Sequence, residues 1–211
     1  MDNYLKATKY LDFEHENIQN LVSEFKSEKL TDKEKAIGLY LKIRDLKKYY
    51  AYDIGMSDYH YTASEIVSSK TGQCISKSIL LASCFRAVNI PSRLRYAKVK
   101  NHMAVEKMLA GLGSDVIAPH GMVDVYLDDK WLKLSPAFDA KTCEENKVDP
   151  LEFDGENHSI FQQHNKEGDL FMEYVEDYGH YDDVPIDRLF EIFIETYPNL
   201  FDKVFNPESN S

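Results

Sequence analysis

The sequence predicts an α+β fold in which one buried helix packs on an antiparallel sheet. Two observations carry this. The run Ile75, Ile79, Leu80, Leu81, Ala82, Cys84, Phe85, Ala87 and Val88 leaves almost no continuous polar face, the pattern of a helix covered on most sides. Further on, Val123, Val125 and Leu127 alternate with polar residues, Asp128-Asp129 turns the chain, and Trp131 to Leu134 returns, which is the pattern of a hairpin. A third observation is size. With 211 residues, 43% hydrophobic and 12% aromatic, the chain can bury enough apolar surface to offset its conformational entropy.

The elements follow in order. Between Glu14 and Glu28, Ile18, Leu21, Val22 and Phe25 recur on one helical face, with His15 solvated near the start. Thr31 and Glu34 have capping-box spacing, and Ala36, Tyr40, Ile43 and Leu46 trace an apolar stripe that frays near Tyr49 to Tyr52. A loop around Gly55 to Tyr61 precedes a short helical or turn segment from Thr62 to Ser69. The buried helix then starts at Cys74 and stops at Asn89 and Pro91, a residue suited to a left-handed cap and one that cannot continue the hydrogen-bond ladder.

Arg93 to Val99 reads as a strand, residues 103–119 as a helix or loop ending in the flexible patch Gly111 to Ser114, and then comes the hairpin. If Asp128 and Asp129 form its tip, Asp124 faces Lys133, Val123 faces Leu134 and Met122 faces Ser135. Opposite charges then meet on one face and apolar residues on the other. Later signals are a helix near Lys141, a turn at Asp154-Gly155, a strand from Leu170 to Val175 and a helix from Ile186 to Tyr197. That helix carries Ile186, Leu189, Phe190, Phe193 and Ile194 on one side, and a loose tail from Asn206 to Ser211 follows. The whole, 1–211, is expected to be one domain with its core at about 63–139, N-terminal helices in 14–52 and a C-terminal extension in 140–205.

Composition narrows the function classes. A formal charge of -11, without a dense Lys/Arg stripe, repels phosphate backbones and acidic lipid, so neither nucleic acid nor membrane is an expected partner. The N-terminus begins polar and no segment approaches a membrane-spanning apolar run, which makes a cytoplasmic protein the default expectation. Cys74, Cys84 and Cys143 are odd in number and lack metal-ligand spacing, against both a disulfide framework and a structural zinc site.

Cys74 differs from the other two by position. At the first turn of a buried helix, unpaired N–H groups and the positive dipole end favour thiolate, and the same N–H groups are suited to an oxyanion. Gly72, two residues earlier, allows a close bend, and Lys77 either supports the thiolate or points to solvent. The alternative for Cys74 is a small buried hydrophobe, as Cys84 is. In the hairpin, His120 and Ser135 become diagonal neighbours roughly 7 to 8 Å apart at Cα. A histidine fixed by a polar group on the next strand is what a Cys–His pair needs, whereas the same residue read alone is a surface histidine beside Pro119.

The blocks Thr71-Gly72-Gln73-Cys74 with Leu80-Leu81-Ala82, Asn89-Ile90-Pro91-Ser92-Arg93-Leu94, His120 to Leu127 and Lys130-Trp131 resemble the bacterial transglutaminase-like family, whose fold is similar to that of papain-type cysteine proteases. The resemblance covers about Ala63 to Asp139, with weaker similarity in Leu151 to Gly155 and Met172 to Tyr174. It implies a papain-like core with Cys74 as nucleophile and His120 as general base. The family's third residue is usually an aspartate four positions after the tryptophan, where this chain has Ser135 and then Pro136. A serine accepts a hydrogen bond but lends imidazolium no charge. Asp139, folded back by the turn after Pro136, is the preferred third member and Ser135 the alternative; Asp139 is equally suited to cap the helix that follows.

The chemistry so implied is acyl transfer from a peptide or protein amide, to water as a peptidase or amidase or to an amine as a transglutaminase, with no cofactor or metal. The other reading is a non-catalytic protein-binding module that keeps the fold, favoured by Ser135. Oligomeric state is not legible. Asn101-His102 is expected to be structural or to border the cleft. His158, His164 and His180 lack ligand spacing, and Glu173, Glu176, Asp177, Asp182 and Asp183 form a hydrated surface. Trp131 either walls the cleft or anchors the hairpin.

Overall fold

The computed structural model describes residues 1–198 other than 54, 56, 103, 104 and 161. The expected tail from Asn206 lies outside the described residues. Seven helices are described: α1 (Glu16–Leu21), α2 (Asp32–Leu46), α3 (Ala63–Ser68), α4 (Cys74–Ala87), α5 (Val105–Leu112), α6 (Ala140–Glu145) and α7 (Ile186–Thr196). Strands β1 (Lys48–Tyr49) and β2 (Thr71–Gly72) pair in parallel. Strands β3 (Ser92–Asn101), β4 (Val116–Leu127), β5 (Lys130–Leu134) and β6 (Met172–Tyr181) form an antiparallel sheet in the order β5-β4-β3-β6.

α4 is the axis of the molecule. Every residue from Cys74 to Arg86 is buried, because α2 and α3 cover one side and β4 and β3 the other. Asn89, at φ 63°, ends it in the left-handed conformation that asparagine tolerates. α2 is capped as read: Thr31 Oγ1 accepts from Glu34 N at 3.2 Å and Glu34 Oε2 accepts from Thr31 N at 2.8 Å. Its buried stripe runs Ala36, Leu39, Tyr40 and Ile43, while Leu46 is exposed.

The hairpin register is the one derived from the turn. Val123 faces Leu134, Asp124 faces Lys133 and Val125 faces Leu132, with Asp128 and Asp129 at φ 47° and 62° closing a two-residue loop. Positive φ at both turn positions matches the right-handed twist of the strands, and Asp adopts it more readily than most residues. The face Val123, Val125, Leu132, Leu134 packs into the core that α4 shares. On the opposite face Met122, Ala97, Val99 and Phe171 gather a second apolar cluster with Cys143 and Val148.

Several boundaries differ from the periodicity. The first helix stops at Leu21 and tightens into a 3-10 turn, Ser23–Lys26, and His15 is its N-cap, accepting from Asn17 N at 3.2 Å. The Tyr49 region is strand β1, since Gly72 supplies a partner that local propensity does not reveal. β4 starts at Val116, so His120 lies inside the strand, after a cis Ala118-Pro119 bond and opposite a bulge in the β3 pairing. In α7 the buried residues are Leu189, Ile192 and Phe193, and Ile194 is exposed.

Candidate active site

Cys74 is the first residue of α4 and 3% exposed. Gln73 caps the helix in front of it. Its Oε1 accepts from Ile75 N at 2.7 Å and from Cys74 Sγ at 3.3 Å, while Gln73 N donates to Ser76 Oγ at 3.0 Å. Burial pushes the thiol up to about 11; the N–H groups of Gly121, Ile75 and Cys74 and the charge of Lys77 pull it the other way. The helix start thus acts in the expected direction, but desolvation outweighs it.

Gly121 is what brings β4 to this helix end. A Cβ there would lie 2.6 Å from Ile75 Cα and 2.9 Å from Cys74 O, closer than packed atoms sit. The strand therefore approaches the first turn of α4 with backbone, and His120 arrives as the residue next to the amide that faces the sulfur. The sequence carries the signal, a glycine inside an alternating strand, but its meaning depends on the helix it meets.

His120 is 2% exposed, and burial lowers its imidazole to about 4, so it is neutral at pH 7. Its Nε2 shares a 3.3 Å hydrogen bond with Ser135 Oγ, and Ser135 is itself 3% exposed. The preferred third residue is elsewhere engaged. Asp139 Oδ1 accepts from Thr142 N at 3.1 Å as the N-cap of α6, and Oδ2 accepts from Thr142 Oγ1 and Tyr49 N, both at 2.7 Å. The turn after Pro136 directs this carboxylate to α6 and β1, and it is Ser135, the alternative third member, that lies within hydrogen-bond distance of Nε2. Nearby donors hold the Asp139 carboxyl below its usual range against the opposing pull of burial.

Lys77 does not meet solvent. Its fully buried Nζ donates to Arg44 O at 2.7 Å, Lys47 O at 3.2 Å and Ala137 O at 2.8 Å, tying the end of α2 to the segment between β5 and α6. Burial lowers this ammonium to about 8 while Asp139 and Asp45 raise it. Asp124 is buried and takes Arg93 Nε at 2.8 Å and Arg95 Nε at 2.9 Å, leaving Lys133 to Asp177 at 3.7 Å. Trp131 serves as the hairpin anchor: its ring lies 5.1 Å from those of Tyr4 and Tyr126 and under the Arg93 guanidinium at 4.1 Å.

Cys74 and Gln73 open onto a cleft of about 340 Å³ whose walls include Tyr52, Met108, Leu112, Phe138 and Tyr197. Asn101 borders it, and His102 turns away to Glu173, 2.9 Å from Nε2 to Oε2. No group of three metal-ligating side chains occurs among the described residues. No described helix is long and apolar enough to cross a membrane.

No curated protein matches the chain. A solved structure similar to it is that of a candidate cysteine protease from Cytophaga hutchinsonii, with 17% identity and a TM-score of 0.47 over 63% of this chain and 40% of that one. This chain thus spans less than half the length of that protein. The model of the transglutaminase-like superfamily core matches residues 19–136, more than half of the sequence, from within α1 through β5 to Pro136. With Cys74 heading the buried helix and His120 in the adjoining strand, the chain belongs to the transglutaminase-like superfamily.

Proposed function

We propose that the protein catalyses thiol-dependent acyl transfer on amide bonds, with Cys74 as nucleophile, His120 as base and Ser135 as the group that orients the imidazole. The observation that supports this most is the setting of Cys74: first residue of a buried helix, at the wall of an apolar cleft, with amides on its sulfur. At neutral pH the pair rests as thiol and neutral imidazole rather than as an ion pair. His120 then takes the thiol proton as sulfur bonds to the amide carbonyl carbon, and returns it to the nitrogen as the C–N bond breaks. The Cys74 N–H at the cleft wall stabilises the transient oxyanion. Water, or an amine, resolves the thioester by attacking the same carbon and releasing the thiol.

The test is alkylation of Cys74 by iodoacetamide, followed by mass spectrometry from pH 5 to 10. Base assistance labels Cys74 below about pH 8.5 faster than a thiol raised to about 11 would react unaided, and His120→Ala removes that advantage. A carboxylate in the serine's place, Ser135→Asp, supports imidazolium and raises the rate near pH 6. A Cys74 that reacts no faster than Cys84 at every pH rejects the enzyme reading. It would leave the second one, a protein-binding module, which Ser135 at the carboxylate position favours.

A further inference from the structure

We propose that the cleft beside Cys74 is an acyl-side pocket that selects an uncharged, apolar side chain of aromatic size next to the scissile carbonyl. This rests on the reading of Cys74 as an acylating nucleophile and adds the substrate class.

The walls argue it. Of the side chains that carry the surface, Tyr52, Met108, Leu112, Phe138, Phe193 and Tyr197 present rings or aliphatic chains, and the polar ones, such as Gln73, Asn101 and Thr142, are neutral. Among the described residues no Asp, Glu, Lys or Arg lines it, although charged residues make up 29% of the sequence. The nearest candidates are turned elsewhere. Asp139 follows Phe138 yet spends both oxygens on Thr142 and Tyr49, and Lys77, one turn along the helix from Cys74, is held by three carbonyls. A charged substrate side chain would lose its water here and meet no counter-charge among the described residues, which disfavours it.

Size points the same way. The volume of about 340 Å³ lies at the small end of the roughly 300 to 1,000 Å³ typical of small-molecule sites, enough for one large side chain and its backbone. Helix α5 forms one wall with Met108 and Leu112. It comes close to Tyr52 because Gly111 has no side chain: a Cβ there would lie 2.4 Å from the Tyr52 hydroxyl oxygen. Aromatic rings in the walls favour an aromatic guest through offset or edge contacts beyond simple area burial.

The experiment measures binding of N-acetyl amino-acid amides to the 211-residue chain carrying Cys74→Ala by NMR titration. The phenylalanine and leucine amides are expected to bind about ten-fold tighter or more than the glutamine, aspartate and lysine amides, the discrimination that apolar pockets commonly reach. Equal affinities, or a preference for glutamine or a charged amide, overturn the proposal. Met108→Lys places a cation in the wall and is expected to weaken the phenylalanine amide and strengthen the aspartate amide; Met108→Leu preserves the parent order. Should Met108→Lys not fold, the ranking on the parent protein still decides. Because binding is read without the thiol, an inert Cys74 in the alkylation test rejects the enzyme reading alone, whereas a flat ranking rejects the pocket alone.

Discussion

Burial sets the protonation of Cys74 and His120 before any substrate arrives. The thiol is raised to about 11 and the imidazole lowered to about 4, each because the charged form has lost water that few protein dipoles replace. For His120 this has a consequence for stability. The unfolded chain takes up a proton near pH 6.5, while the folded chain resists until about 4, so the unfolded state binds more protons in that window and stability falls as pH drops from 6.5 to 4. The cost reaches roughly 3 kcal/mol at pH 4 for one such group. His120→Asn is expected to flatten that part of the stability curve in urea titrations, even where it lowers stability at pH 7. An unchanged slope would show that His120 is protonated in the folded state.

The elements meet through a few exact approaches. β4 lies against the first turn of α4 because Gly121 offers no Cβ, and two backbones at 2.6 Å from a virtual carbon cannot both keep their places if one is added. Gly121→Ala is expected to cost about 1 to 3 kcal/mol as an overpacked contact. On the proposed reading it should also slow Cys74 alkylation below pH 8 by displacing the strand that carries His120, which thermal unfolding and labelling rates read separately. Lys77 makes a comparable junction from polar atoms, donating to three backbone carbonyls from different segments. The Asp139 carboxylate joins α6 to β1 in the same region.

At the scale of the molecule, α4 is covered by α2 and α3 on one side and by the sheet on the other, whereas α5 lies at the cleft with Leu109 half exposed. Opening α4 requires disrupting both layers, so its amides should exchange with solvent only through global unfolding, while those of α5 exchange through local opening. Native-state hydrogen exchange should rank the α4 amides slowest and those of α5 orders of magnitude faster; comparable protection would contradict the layered core.

The sequence by itself determined the parts that rest on local pattern: the capped α2, the buried α4 with Cys74 at its head, and the Asp128-Asp129 hairpin with its register and His120 and Ser135 on one face. Periodicity and turn chemistry act over a few residues, so they are legible there. The pairing of β1 with Gly72, the early start of β4 and the burial of Lys77 all depend on partners far along the chain. So does the hydrogen-bond partner of His120. Ser135 and Asp139 are four residues apart and both chemically suited, and only the path of the backbone after Pro136 directs one to the imidazole and the other to α6. The thiol's charge was decided in the same way: a helix start favours thiolate in any sequence, but how much water is lost there is a property of the packed fold, and desolvation is the larger effect.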